Sequence, residues 1–245
     1  MLGKNLPLSA FIDSTAGTPI GAIHVDTIAL SAVCMLGILG YTSMVSRNLV
    51  LDGPGNKNQA VLEGVYNFID DLAKGQIGPH YKTFFPLIAA IFIFVLMGNF
   101  VGVAPWKVFE FLPGWPHIDG GKEAFEVASP TTDFNVTLAL ATIAWFTYLG
   151  SGFWKHGMGF AKTLFFSPMA PIEILDMIIR PSTLALRLMV VITADELMRA
   201  AILLIFPFFI PAGIMGFELF IGIVQAFVFA LLTSIYIGLT VSEHH

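Results

Sequence analysis

Seven charged side chains stand in one otherwise apolar run: Glu173, Asp176, Arg180, Arg187, Asp195, Glu196 and Arg199. Carboxyl groups in a medium of low dielectric relay protons through water, whereas a guanidinium stays charged and repels a mobile cation. Arg187 is the most demanding of the seven. Its neighbours at three- and four-residue spacing are Thr183, Leu184, Val190 and Val191, so no acid on its own helix neutralises it. An arginine near the middle of a bilayer helix costs at least about 2.5–3.5 kcal/mol on insertion scales, so it normally faces a wet cavity, a partner carboxylate or an ion pathway.

Helical geometry orders these groups. At about 100° per residue, Glu173, Arg180 and Arg187 share one face and rise roughly 10 Å per step, while Glu196 points nearly the other way. Glu218 and Gln225 share a face of the next stretch. If the two stretches run antiparallel, Glu218 lies near the level of Asp195 and Glu196, and Gln225 falls closer to Arg187. Acids then stand at one end (Glu173, Asp176), an arginine at mid-depth, and acids again at the other end (Asp195, Glu196, Glu218). That is two acidic hemi-pathways divided by a fixed cation, which blocks a straight leak. An ion crosses such a divide only on a carrier, and the carrier is not in this chain.

The elements that must hold these groups are membrane helices. The chain has 245 residues, 56% of them hydrophobic and 12% charged, with a mean hydropathy of +0.80, too little polar surface for a soluble globule. Thr27 to Ser46, Phe84 to Ala104 and Phe134 to Trp154 each reach the ~20 uncharged residues that span a bilayer. Pro171 to Phe206 and Pro211 to Ser242 are longer, reaching roughly 54 and 48 Å as helices, so they must tilt or break. Pro181 offers a kink in the first, and several glycines loosen the second.

Between the first two spans, over 57–74, Val61, Leu62, Val65, Phe68, Ile69 and Leu72 recur at helical spacing opposite Glu63, Asn67, Asp70, Asp71 and Lys74. This predicts an interfacial helix whose stripe meets either the membrane surface or the bundle. The predicted fold is one all-α membrane domain over 1–245: five membrane-embedded helices plus the interfacial one, the last two long, tilted and paired as a hairpin. Residues 1–26 form an outer segment without the apolar core of a cleavable signal, and 105–133 an outer loop.

Arg47, Lys57, Lys74, Lys82, Lys155 and Lys162 fall on one side of the spans and Lys4, Lys107 and Lys122 on the other, which makes the first side cytoplasmic. Cys34 has no disulfide partner and reads as packing. The six histidines lack ligand spacing, so neither metal nor cofactor is expected, and no basic patch points to nucleic acid. Ser151 and Ser182 have no histidine partner for serine chemistry.

Several of the polar residues also admit plainer readings. Asp195 fits a solvated or partner-facing acid, Arg199 a snorkelling or ion-paired stabiliser, and Gln225 an interhelical hydrogen bond. Glu173 and Asp176 fit the bias toward acids at a helix N-terminus.

The run Ile179 to Leu188, Ile-Arg-Pro-Ser-Thr-Leu-Ala-Leu-Arg-Leu, followed by Thr-Ala-Asp-Glu-Leu ending at Leu197, closely resembles the signature of the a-subunit family of F-type ATP synthases. Val224 to Phe229 resembles the last-helix motif of that family. The likeness extends to Pro130–Ala139, Met97-Gly98-Asn99 and His24-Val25-Asp26, and so covers nearly the whole chain. After Leu-Arg-Leu the family usually carries an aromatic, a small residue and an asparagine, where this chain has Met189, Val190 and Val191.

The resemblance implies a membrane stator lying against a ring of c subunits, with two offset aqueous half-channels for protons or sodium ions. Arg187 matches the essential arginine between them. Asn99, Glu196 and Glu218 match positions of the outer pathway, where helical geometry also puts Asp195, and Gln225 matches the glutamine facing the arginine; Glu173, Asp176, Arg180 and Thr183 match the cytoplasmic pathway. Further implied partners are the peripheral-stalk b subunits and membrane lipid. ATP chemistry would belong to other subunits, and the implied location is a bacterial inner membrane ahead of an organellar one. A stand-alone secondary ion transporter or channel, or a structural anchor of a larger complex, remains the alternative from residues alone, although no internal repeat is visible.

Overall fold

The computed structural model describes residues 25–47, 49–50, 55–103, 117–118, 123–124, 129–157, 170–205 and 210–241. The first 24 residues, most of the 105–133 loop and the 206–209 connection, on which some of the expectations above fall, lie outside the described residues. In chain order the helices are α1 (Val25–Arg47), α2 (Lys57–Ile77), α3 (Tyr81–Val103), α4 (Phe134–His156), α5 (Ala170–Ile205) and α6 (Ile210–Val241). A 3-10 turn, Gly78–His80, joins α2 to α3, and another, Pro130–Thr132, precedes α4. Two short strands, β1 (His117–Ile118) and β2 (Glu123–Ala124), pair antiparallel. Apart from these strands and a few connecting residues, the described residues are helical, and five of their helical segments are long and apolar enough to cross a membrane.

Local chemistry sets several boundaries. Gly78 ends α2 with φ 76°, a left-handed value that favours glycine, and its N–H donates to the Lys74 carbonyl. At the start of α4 the Asp133 carboxylate accepts from the Asn135 N–H at 2.8 Å, satisfying a donor that the helix leaves free. Hydroxyls inside the helices donate to carbonyls on their own helix, as Thr142 does to Leu138 at 2.7 Å and Ser234 to Ala230 at 2.8 Å. In hydrocarbon this disposes of a polar group that has no water to meet.

α6 is the centre of the bundle, packing against α2, α3, α4 and α5, while α4 also lies along α5. The core runs through Ile88 and Val95 of α3, Ala141 of α4, Leu184 and Leu188 of α5, and Ala226 and Ile237 of α6. α2 buries Ile69, Ala73 and Ile77 in this core and leaves Val61 and Phe68 exposed, so part of its apolar stripe meets the bundle and part faces outward. The approach is closest at Gly238, where an added Cβ would collide with the backbone carbonyl of Gln76. α1 touches α3 and keeps Val33, Leu36 and Leu39 exposed, with Cys34 buried.

The two long helices do not break. α5 has 36 residues and is continuous through Pro181, and α6 has 32. The loss at Pro181 is confined to one backbone hydrogen bond, which the neighbouring turns outlast. Their directions follow from two contacts. Arg199, late in α5, meets Glu218, early in α6, while Arg180, early in α5, meets Tyr236, late in α6. The helices therefore run antiparallel.

Candidate functional site

Three levels along α5 carry its charge. Arg187 occupies the middle one, on the outward face of the helix, with Thr183, Leu186 and Val190 exposed beside it and Leu184, Ala185 and Leu188 buried on the opposite side. Among the described residues it has neither an ion-pair nor a hydrogen-bond partner. An apolar inner face seats α5 on α4 and α6, so the cation is turned out of its own subunit. Thr183 spends its hydroxyl on the Arg180 carbonyl at 2.9 Å.

About two turns toward the C-terminal end of α5 lies a polar cluster built by four elements. Asn99 of α3 is buried, donates to the Gly222 carbonyl of α6 at 3.0 Å and accepts from the Thr131 hydroxyl at 2.7 Å. The Ser129 hydroxyl donates to the Gly98 carbonyl at 3.0 Å and lies 2.6 Å from the Thr131 oxygen. Two hydroxyl protons thus serve three short contacts, which ties Ser129, Thr131 and Asn99 into one unit. Gly102 is forced by this packing, because a Cβ there would come within 2.5 Å of the Ser129 Cβ.

Arg199 joins the cluster from α5. Its guanidinium lies 3.1 Å from the Glu218 carboxylate and donates to the Gly102 carbonyl at 3.0 Å. Glu218 is only 3% exposed, so this is an ion pair in the protein interior. Asp195 stands one turn before Arg199 and is half-buried, with its Oδ2 buried and without a hydrogen-bond donor. A cavity of about 20 Å³, lined by Asn99, Ser129, Ile192, Asp195, Arg199 and Glu218 among others, lies between these groups. That is space for one water molecule.

The third level lies about two turns to the other side of Arg187. Asp176 pairs with Arg180, four residues on. The Arg180 guanidinium sits 5.2 Å from the Tyr148 ring centroid and 5.1 Å from that of Tyr236, held between α4 and α6. Below it Ser151 and Thr240 share a hydrogen bond of 2.6 Å between α4 and α6, and the Lys155 ammonium donates to the Val241 carbonyl.

The structure therefore gathers Asn99, Asp195 and Glu218 at one level and Asp176 and Arg180 at another, with Arg187 between them. Gln225 is half-buried and, by the register of the two long helices, lies level with Ile192, about 7 Å along the axis from Arg187. The backbones of Glu173 and Glu196 lie on α5, and their side chains lie outside the described residues. Sequence reasoning left Arg199, Ser129 and Thr131 off the pathway. The four-residue spacing of Asp195 and Arg199 was a usable signal, but contacts between α3, the Ser129 turn and α6 have no trace in local spacing.

Comparison with known proteins agrees with this architecture. Residues 27–238 match the family model described as ATP synthase A chain. The chain is 37% identical over 225 residues to "ATP synthase subunit a" of Gloeobacter violaceus, covering 91% of this chain and 86% of that protein. Charged groups along a long helix of an apolar bundle with five helical segments able to span a membrane, a family match over most of the chain and a relative matched over most of its length converge on one assignment: the chain belongs to the ATP synthase A chain family and is a membrane-sector subunit of an F-type ATP synthase, in complex with other subunits of that enzyme.

Proposed function

We propose that this chain is the ion-translocating stator of the membrane sector, presenting two offset aqueous half-channels to a c-ring and separating them with Arg187. Ions, protons or sodium, enter from outside past Asn99, Asp195, Glu196, Glu218 and Gln225 and load a c-ring carboxylate. After rotation they leave on the cytoplasmic side near Glu173, Asp176, Arg180 and Thr183. Arg187 attracts the unloaded carboxylate and repels a free cation, so the two paths do not join. The driving force is about 2.3 kcal/mol per charge per 100 mV. The peripheral-stalk b subunits hold the stator, and the setting is a bacterial plasma membrane.

The observation that carries this reading is the outward exposure of Arg187 with no partner among the described residues. A guanidinium in hydrocarbon without a counter-charge is expensive, and a carboxylate on an adjacent rotor supplies the missing partner. Replacement Arg187→Ala is expected to abolish coupled ATP synthesis in proteoliposomes that hold the whole complex. Retained coupling refutes the assignment. Ion flux measured with and without the c-ring distinguishes it from a stand-alone channel, which conducts in both cases.

A further inference from the structure

Two carboxylates line the cavity beside Asn99, and their surroundings differ in kind. Glu218 is 3% exposed, walled in on α6 and paired at 3.1 Å with Arg199 Nη1, which also donates to the Gly102 carbonyl. A carboxylate fixed in that way meets nothing outside its own subunit. Asp195 is half-buried, has one buried oxygen without a donor in the cavity, and is flanked by exposed Ala194 and Leu197. It stands eight positions from Arg187, about 80° around the helix and roughly 12 Å along it, so its outer edge adjoins the face that carries Arg187.

We propose that Asp195 is the proton-exchanging carboxylate of the outer pathway, and that Arg199 is a positioning residue whose buried pair with Glu218 forms the fixed ionic wall beside it. This rests on the translocation reading above and assigns roles within it. The Asp195 carboxylate takes a proton at Oδ2 from a hydronium ion in the entrance path, whose broken O–H bond leaves a neutral water. It then releases that proton to a rotor carboxylate at the outward face. Glu218 serves as the counter-ion of Arg199, since an unopposed guanidinium at the cavity would repel the incoming proton. Arg199 is also four residues from Asp195, one turn away, so losing its counter-ion acts directly on the exchanging group.

The test uses the complete complex in liposomes, with potential-driven proton flux read by an internal pH dye and assembly checked by recovery of the c-ring with this chain. Asp195→Asn is expected to lower flux by about a hundredfold, the low end of what a positioned proton-transfer group contributes. Glu218→Gln is expected to lower it by a similar factor, because the half-buried Arg199 is left without its counter-ion. Adding Arg199→Gln to Glu218→Gln is expected to recover roughly tenfold, since the unpaired cation is then gone. A double variant as inactive as Glu218→Gln shows that Glu218 itself exchanges protons and overturns the proposal, as does full flux in Asp195→Asn. Should Glu218→Gln fail to assemble, Asp195→Asn decides alone, because its buried oxygen holds no hydrogen bond to lose. Arg187→Ala measured in parallel separates the two levels: if it is uncoupled while Asp195→Asn transports normally, only the present assignment falls.

Discussion

Replacing Gly238 by alanine probes the contact on which the position of α6 depends. Inside an exposed helix, glycine to alanine ordinarily stabilises by about 0.8–1 kcal/mol. At Gly238 the new methyl would collide with the Gln76 carbonyl, a backbone atom that cannot turn aside as the end of a side chain would. Relief requires α2 and α6 to separate, which also loosens Ile69, Ala73 and Ile77 against the core. Overpacking of this kind costs ~1–3 kcal/mol, and a backbone obstacle places it at the upper end. Against the gain in helix propensity, the net loss is about 2 kcal/mol, or a drop of roughly 4–8 °C in Tm for a chain of this size. Gly75, one residue before Gln76, is the control: a methyl added there would meet nothing within 4 Å, so its alanine variant is expected to be neutral or slightly stabilised. The assay is thermal unfolding of the purified complex in detergent, followed by intrinsic fluorescence. Equal Tm values for Gly238→Ala and the unaltered protein would refute the backbone contact between α2 and α6.

Three further predictions concern the levels above and below Arg187. Asn99→Ala removes the donor to the Gly222 carbonyl and the acceptor of the Thr131 hydroxyl, an expected loss of ~0.5–1.5 kcal/mol for each hydrogen bond, since the carbonyl keeps its helical partner and the hydroxyl keeps Ser129. Combined with Thr131→Val, the loss in thermal stability is expected to fall short of the sum of the two single changes by ~0.5–3 kcal/mol, and strict additivity would dissolve the unit. Tyr236→Leu removes one of the two rings over Arg180 and is expected to cost ~0.5–2 kcal/mol in unfolding measurements. Arg180→Lys should cost a comparable amount, because an ammonium does not fill the slot between two ring faces as a planar guanidinium does.

The apolar composition, the spans and the run of charges on α5 were legible in the sequence because they depend on local hydropathy and helical spacing. Thus α4 starts at Phe134, directly after Asp133, whose side chain caps it, and Arg187 has no ion-pair partner among the described residues because no acid lies three or four residues away. The family signature was equally readable, since it consists of contiguous residue types. What spacing left open was whether α5 breaks at Pro181, which it does not, and whether the α2 stripe meets the bundle, which it does at Ile69, Ala73 and Ile77. These depend on neighbours remote in sequence: the carbonyl of Gln76 over Gly238, and α4 and α6 beside α5.

The division is sharpest at Arg199 and Glu218. Sequence alone determined that both are charged groups in apolar helices, a costly condition that demands partners. Only the tertiary structure decided that the two meet each other at 3.1 Å, with Gly102 of α3 as the second acceptor, while Asp195 keeps an oxygen free in the cavity beside them. Desolvation sets the requirement residue by residue, but it is satisfied by whichever groups the antiparallel packing of α5 and α6 brings to the same depth.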